Sequence, residues 1–268
     1  MQWFIGINEG CPAWKEYADL AKVAIHTALQ HTSLEPHCLY DGGENDFTAW
    51  LRRRGVRIIP WRTIFYVDLK QLGERRGNPM LLDATRGVFL RTELPQIQER
   101  FGFDDRVLYT DCDVIFRQDV VADFTAVSCK YFAVAVEFRL DRPDEMNTGV
   151  MWMHLPEMRR FEGDDFQNFV RENVETLPAI AWDQGAYRKF YRNEKGKALW
   201  DMLAPELNWK PYWGDYSAAK IIHFHGPKPF QRPHIDPHIP ELKHLAGGAY
   251  DELCDLWAEL LREAESSA

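Results

Sequence analysis

The first 61 residues alternate between short apolar runs and helical patterns, and this narrows the fold more than any other feature of the chain. Trp3 to Ile7 is an apolar run stopped by Asn8-Glu9-Gly10. Lys15 to Gln30 sets Tyr17, Leu20, Ala21, Ala24, Ile25 and Ala28 on one helical face. Pro36 to Tyr40 is a second run, closed by Asp41-Gly42-Gly43. Phe47 to Arg54 suits a short helix, and Val56 to Trp61 is a third run. Strands separated by helices, with no hairpin signals between them, predict a parallel sheet covered by helices. Ligands of such sheets sit beyond the carboxyl ends of the strands. Asn8, Glu9 and Asp41 fall at such ends.

A fourth run, Val107 to Phe116, is broken by Asp111 and Asp113. In an extended chain alternate side chains share a face, so the two carboxylates can point the same way. Unpaired, they repel each other, and one tends to stay protonated. A divalent cation removes that conflict, and oxygen ligands suit Mg or Mn. The plainer alternative is a polar turn where a strand surfaces. Further on, Ile221 to Phe230 delivers His223, His225 and Gly226, then Lys228 between Pro227 and Pro229. One histidine beside the aspartates completes a His-plus-two-carboxylate metal set. Lys228 is a stiffly placed cation suited to a phosphate.

Between these stretches, Leu82 to Arg100 reads as mostly helical, restarting around Pro95. It carries Arg86 and Arg91. Arginines on helices are ordinarily solvated, but either can reach a phosphate or the aspartates. Tyr131 to Phe138 is a buried strand, and Arg139 to Met146 a polar loop. Asn147 to Leu155 is a strand opening with Asn147-Thr148-Gly149, where the glycine admits a close approach and the asparagine supplies donor and acceptor. Phe161 to Asn173 reads as one helix. Trp182-Asp183-Gln184-Gly185 opens another, where Asp183 also suits a plain helix N-terminus. Tyr250 to Ala264 is amphipathic with an acidic outer face, fit to pack on the domain or to meet another subunit.

A net charge of -9 lacks the basic footprint of a nucleic-acid binder. The five cysteines are odd in number and scattered, so neither a zinc site nor a disulfide framework is expected. Buried free thiols suit a reducing compartment. The amino terminus lacks the basic start of a signal peptide, and no apolar run approaches the ~20 residues of a transmembrane helix. The expectation is a soluble cytoplasmic protein.

Four stretches, taken in order, resemble the retaining nucleotide-sugar glycosyltransferases related to glycogenin and to bacterial lipopolysaccharide galactosyltransferases. They are Leu108 to Asp113 (a D-x-D), Asn147 to Val150, Trp182 to Gly185 and His223 to Phe230. The resemblance implies an α/β GT-A fold, a Rossmann-like mixed sheet flanked by helices, over residues 1–240, with 241–268 adding the terminal helix. It implies a Mn (or Mg) ion on Asp111, Asp113 and His223, and a nucleotide-sugar donor, UDP-hexose by preference. Asn8, Glu9, Arg86, Asp111, Gly226 and Lys228 would bind the donor, with Arg86 favoured over Arg91. Asp183, Gln184 and Asn147 would line the reaction centre. The acceptor (sugar, lipid-linked or protein) and the oligomeric state stay open. The glycine-to-lysine spacing at Gly226-Pro227-Lys228 is one residue shorter than the family's, and His225 has no family role.

Two rival readings remain. Asp111-Cys112-Asp113-Val114 also fits the opening motif of a haloacid-dehalogenase-type phosphatase, with Gly163-Asp164-Asp165 as its later acidic motif. That motif normally lies on the first strand of its fold, whereas here about 100 residues precede it. A non-catalytic carbohydrate-binding protein is the other.

Overall fold

Successive residues of the first strand, β1 (Gln2–Asn8), enter different cores. Trp3, Ile5 and Ile7 join one apolar cluster and Phe4 the other. Leu108 likewise faces one side, and Val107 and Tyr109 the other. A sheet apolar on both faces needs helices on both. The computed structural model of the protein, which describes residues 1–266, has that arrangement.

Among the described residues, seven strands form the main sheet in the order β3–β2–β1–β4–β7–β6–β8. Beside β1 these are β2 (Glu35–Asp41), β3 (Arg57–Pro60), β4 (Arg106–Thr110), β6 (Phe132–Val136), β7 (Met146–His154) and β8 (Asp201–Met202). The first four run parallel, as the alternation predicts. The sheet is mixed because β7 returns antiparallel between β4 and β6, through the loop after β6. A small second sheet pairs β5 (Val114–Phe116) with β9 (Ile221–His223), antiparallel. β1 has β2 on one side and β4 on the other, so chain direction across the sheet reverses there. The crevice at the carboxyl ends of β1 and β4 is therefore the expected ligand position.

Helix Tyr250–Ser266 buries Tyr250, Leu253, Cys254, Trp257, Leu260 and Ala264 in the same cluster as helix Trp14–His31. The expected segment 241–268 ends in two residues that lie outside the described ones. Two other expectations change. The stretch expected to restart around Pro95 is divided further upstream, into helix Leu81–Thr85 and a 3-10 helix Arg86–Glu93, before it restarts there as helix Leu94–Phe101. Pro95 sits in the first turn of that last helix, where its missing N–H leaves no bond unmade. The stretch expected as one helix over 161–173 is split at Gly163, whose φ of 47° ends helix Leu155–Glu162 before Asp165–Asn173 begins. No helix among the described residues is long and apolar enough to cross a membrane.

Glu162 lies inside the core at 1% exposure, accepting from Tyr191 Oη at 2.5 Å and from Gln96 Nε2 at 3.2 Å. Burial pushes its pKa up to about 8, against those two donors. The folded chain therefore holds a proton that the unfolded chain releases near pH 4.5. Between those values the native state binds more protons, so stability falls as pH rises. Glu162→Gln should flatten that limb, gaining on the parent protein from pH 5 to 8. Urea unfolding across that range is the check.

Candidate metal and donor site

β4 ends at Thr110, whose hydroxyl accepts from Trp3 Nε1 at 3.0 Å. The chain then turns through Asp111-Cys112-Asp113 and resumes as β5 in the second sheet. The two aspartates thus sit at a junction between sheets rather than along one extended strand. Pairing of β5 with β9 sets Val114 opposite His223, and Phe224 N–H donates to Asp113 O at 3.0 Å. His223 Nε2 lies 3.7 Å from Asp111 Oδ2 and 3.4 Å from Asp113 Oδ1. One ligand atom from each of the three residues falls within 4.8 Å of the others. The space the ring fills is made by Gly149, where any Cβ would collide with the His223 ring. Asp113 is 4% exposed and its Oδ1 has no hydrogen-bond donor. A buried carboxylate oxygen left so is costly on its own. Two carboxylates and an imidazole converging on one point are a donor set for Mn or Mg, and the residues fit such an ion.

The other oxygen of each aspartate meets a protein cation. Arg91 Nη2 is 2.8 Å from Asp111 Oδ1, and its Nε is 2.8 Å from Asp183 Oδ2. Its Nη1 donates to Thr148 O. Lys228 Nζ pairs with Asp113 and donates to Phe224 O at 2.8 Å. Burial works to raise the pKa of Asp113, but Lys228 and His223 outweigh it and hold the carboxyl well below its usual range. Asp183 goes the other way: burial pushes it up to about 6, with Arg91 opposing. A cavity of about 240 Å3 opens over this cluster at the ends of β1 and β4, lined among others by Asn8, Tyr17, Arg91, Asp111, Asp113 and Lys228.

Helix Trp182–Phe190 aims Asp183 and Gln184 inward from a strained start. Ala181 and Trp182 have φ of 65° and 52°. Left-handed non-glycine residues cost of order 1–3 kcal/mol each and persist where surrounding contacts over-determine them. Gln184 Oε1 accepts from Asn147 Nδ2 and Thr148 N, both at 3.0 Å, and its Nε2 donates to Glu137 Oε1 at 2.6 Å. Glu137 also meets Arg188 at 2.8 Å and His225 Nε2 at 3.6 Å. Burial pulls the His225 pKa down to about 4.

Of the residues expected from the sequence, Asp111, Asp113, His223, Lys228, Asp183, Gln184 and Asn147 form one connected cluster. The rest stand around it with other partners. Asn8 Nδ2 donates to Asp83 O at 2.8 Å. Glu9 accepts from Gly43 N at 2.7 Å and Asn45 Nδ2 at 3.0 Å, so both its oxygens brace the loop after β2. Arg86 is held between Asp41 at 3.2 Å and Asp83 at 3.3 Å, and it is Arg91 that reaches the aspartates. Gly226, at φ 98°, turns the chain ahead of Lys228. Gly163-Asp164-Asp165 is exposed at a helix–helix turn. Glu137 and Asn208 are buried site residues with no motif to announce them.

No protein-family model matches the sequence, and no curated protein matches it. Solved structures do. The galactosyltransferase LgtC, in complex with donor and acceptor sugar analogues, is 18% identical with a TM-score of 0.58, covering 92% of this chain and 95% of that one. The apo form of the glycosyltransferase GlyE of Streptococcus pneumoniae TIGR4 is 15% identical with a TM-score of 0.59. That match covers 99% of this chain, which spans only 63% of GlyE. Mouse xyloside xylosyltransferase 1 is 15% identical with a TM-score of 0.55, covering 83% of this chain and 96% of that one. The fold is GT-A. The expected fold class is met.

Two substitutions test the cluster. Arg91→Met leaves the buried Asp183 and the partly exposed Asp111 without their cation and should cost about 3–5 kcal/mol, chiefly through Asp183. The loss should be smaller at pH 5 than at pH 8, because Asp183 then takes a proton; urea unfolding at both values checks it. Gly149→Ala should push the His223 ring off the aspartates and weaken Mn binding at least tenfold, about the lower bound for a disturbed ligand. Electron paramagnetic resonance of free Mn reads that directly.

Proposed function

We propose that the protein is a metal-dependent, retaining glycosyltransferase that moves a hexose from a nucleotide diphosphate sugar, UDP-hexose by preference, to an acceptor hydroxyl. The observation that carries this reading is the convergence of Asp111, Asp113 and His223 within 4.8 Å, with Lys228 alongside, at the ligand crevice of a GT-A sheet. A bound Mn or Mg ion would supply Lewis-acid stabilisation of the leaving diphosphate. Lys228 stands beside Asp113, where it meets the same phosphates, and the charge it opposes grows in the transition state. Asn8, at the end of β1 and on the wall of the crevice, would meet the nucleoside. Arg91 orients Asp111 through their 2.8 Å ion pair. LgtC and the xylosyltransferase carry different sugars in their names, so the shared fold leaves the sugar open.

The geometry favours same-face attack over a covalent intermediate. Asp183 is the candidate carboxylate nucleophile, but it is 3% exposed and tied to Arg91. Gln184 spends both ends of its amide on Asn147, Thr148 and Glu137. It therefore acts as a fixed wall of the reaction centre, and the leaving diphosphate takes the acceptor's proton. The phosphatase reading is weaker: Asp111 is bound to Arg91, and the later acidic motif is exposed away from the crevice. Cytoplasmic action agrees with five free cysteines.

Thermal unfolding against nucleotides, with and without Mn, tests the reading. A ligand that binds only the native state adds about 2.7 kcal/mol at a hundredfold excess over its dissociation constant. UDP should stabilise the protein only with Mn, and Asp113→Asn should remove that response while unfolding as cooperatively as the parent. Stabilisation by Mg with a phosphate mimic, and none by any nucleotide, would turn the assignment to the phosphatase.

A further inference from the structure

Asn208 lies in the 3-10 turn Pro205–Asn208, which packs beside β9, and is fully buried. It follows no motif. The next residue pairs with β9: Trp209 N–H donates to Ile221 O, and His223 N–H to Trp209 O, both at 2.8 Å. Lys210 Nζ donates to Asn208 O at 2.8 Å and pins the turn from behind. The Asn208 side chain is thereby set against the His223 ring, with Oδ1 3.0 Å from Nδ1.

The direction of every hydrogen bond behind His223 can be derived, because two backbone N–H groups have no choice. Thr148 N–H points at Gln184 Oε1 at 3.0 Å, which makes that atom an acceptor and turns Nε2 toward the Glu137 carboxylate. Gly149 N–H points at Asn147 Oδ1 at 3.2 Å, so Asn147 Nδ2 must be the donor to Gln184. Asn208 Nδ2 then donates to Asn147 Oδ1 at 3.0 Å. Reversing either asparagine would set oxygen against oxygen or N–H against N–H in a buried site. Asn208 therefore presents its oxygen to His223, and the ring nitrogen facing it carries the proton.

We infer that Asn208 is a positioning residue that accepts from His223 Nδ1–H and so fixes the ring with Nε2, the nitrogen left for a metal ion, aimed between Asp111 and Asp113. The inference rests on the metal-dependent reading above. It also makes the reaction-centre amide, Gln184, and the metal-side imidazole two ends of one polarised chain through Asn147 and Asn208. Partners of this kind orient metal ligands, and losing one typically costs 10–100-fold in metal affinity.

Long-range proton–nitrogen spectra of metal-free protein labelled with 15N-histidine read the tautomer, with His223→Gln assigning the signal. The expected result is a protonated Nδ1; an unprotonated Nδ1, with the proton on Nε2 alone, overturns the inference. Asn208→Leu should weaken Mn binding about 10–100-fold by paramagnetic resonance. Parent-like Mn affinity in a folded Asn208→Leu variant also overturns it. Should that variant fail to fold, the spectrum of the parent protein decides. A parent protein that binds no Mn defeats the metal reading, while its spectrum still decides the tautomer.

Discussion

The buried guanidinium of Arg91 is the contact on which the site depends. It lies over the Tyr109 ring, with its carbon 4.7 Å from the centroid, and reaches three elements. Asp111 follows β4, Thr148 belongs to β7, and Asp183 opens the helix after the strained Ala181-Trp182 pair. Three chain segments far apart in sequence are thus held to one planar group. Arginine suits this because its fork of donors is rigid and always charged. A lysine has a point charge for the same three partners and no geometry to set their angles. The strain at Ala181 and Trp182 is tolerable in the same terms, since Asp183 and Gln184 are anchored on both sides of it.

The reversal of β7 is what makes that gathering possible. Were the sheet parallel throughout, the start of β7 would lie at the far end from the end of β4. Running antiparallel, β7 brings Asn147, Thr148 and Gly149 beside Thr110 and Asp111, and Asp111 N–H donates to Gly149 O at 2.8 Å. The turn at Asp111-Cys112-Asp113 then hands the chain to β5, whose pairing with β9 returns His223 to the same point. The candidate metal ligands and the Asn147–Gln184 pair therefore meet through pairings that cross between two sheets.

Much of this was legible beforehand, for identifiable reasons. The parallel half follows from alternating strand and helix periodicity in the first 61 residues. Asp111, Asp113, His223 and Lys228 stood out because charged residues have no packing value inside apolar runs. Arg91 did not stand out over Arg86, because both lie on a helical stretch and sequence periodicity does not show which charge is buried. Glu9 looked free at a strand end, yet its carboxylate satisfies the backbone of the loop after β2, a need created only when β1 and β2 pair. Glu137 closes the apolar run Tyr131 to Phe138, where a strand end can surface, and Asn208 occupies a Pro-led turn, where such residues are ordinary. Their roles come from tertiary contacts alone. The split at Gly163 was readable in principle, since a glycine within a helical pattern is a candidate stop.

The electrostatics of the cluster bear on what it can hold. Each of Asp111 and Asp113 gives one oxygen to a protein cation, Arg91 or Lys228, and keeps the other toward His223. Two carboxylates are thus already matched by two fixed positive groups before a metal enters. A divalent ion on the remaining oxygens leaves the crevice with an excess of positive charge, which Asp183 offsets only while ionised. Buried excess charge is costly unless a partner arrives. A diphosphate meets that need, whereas a neutral sugar does not. The same arrangement favours an anionic group such as a diphosphate beside a bound metal, at the carboxyl ends of β1 and β4.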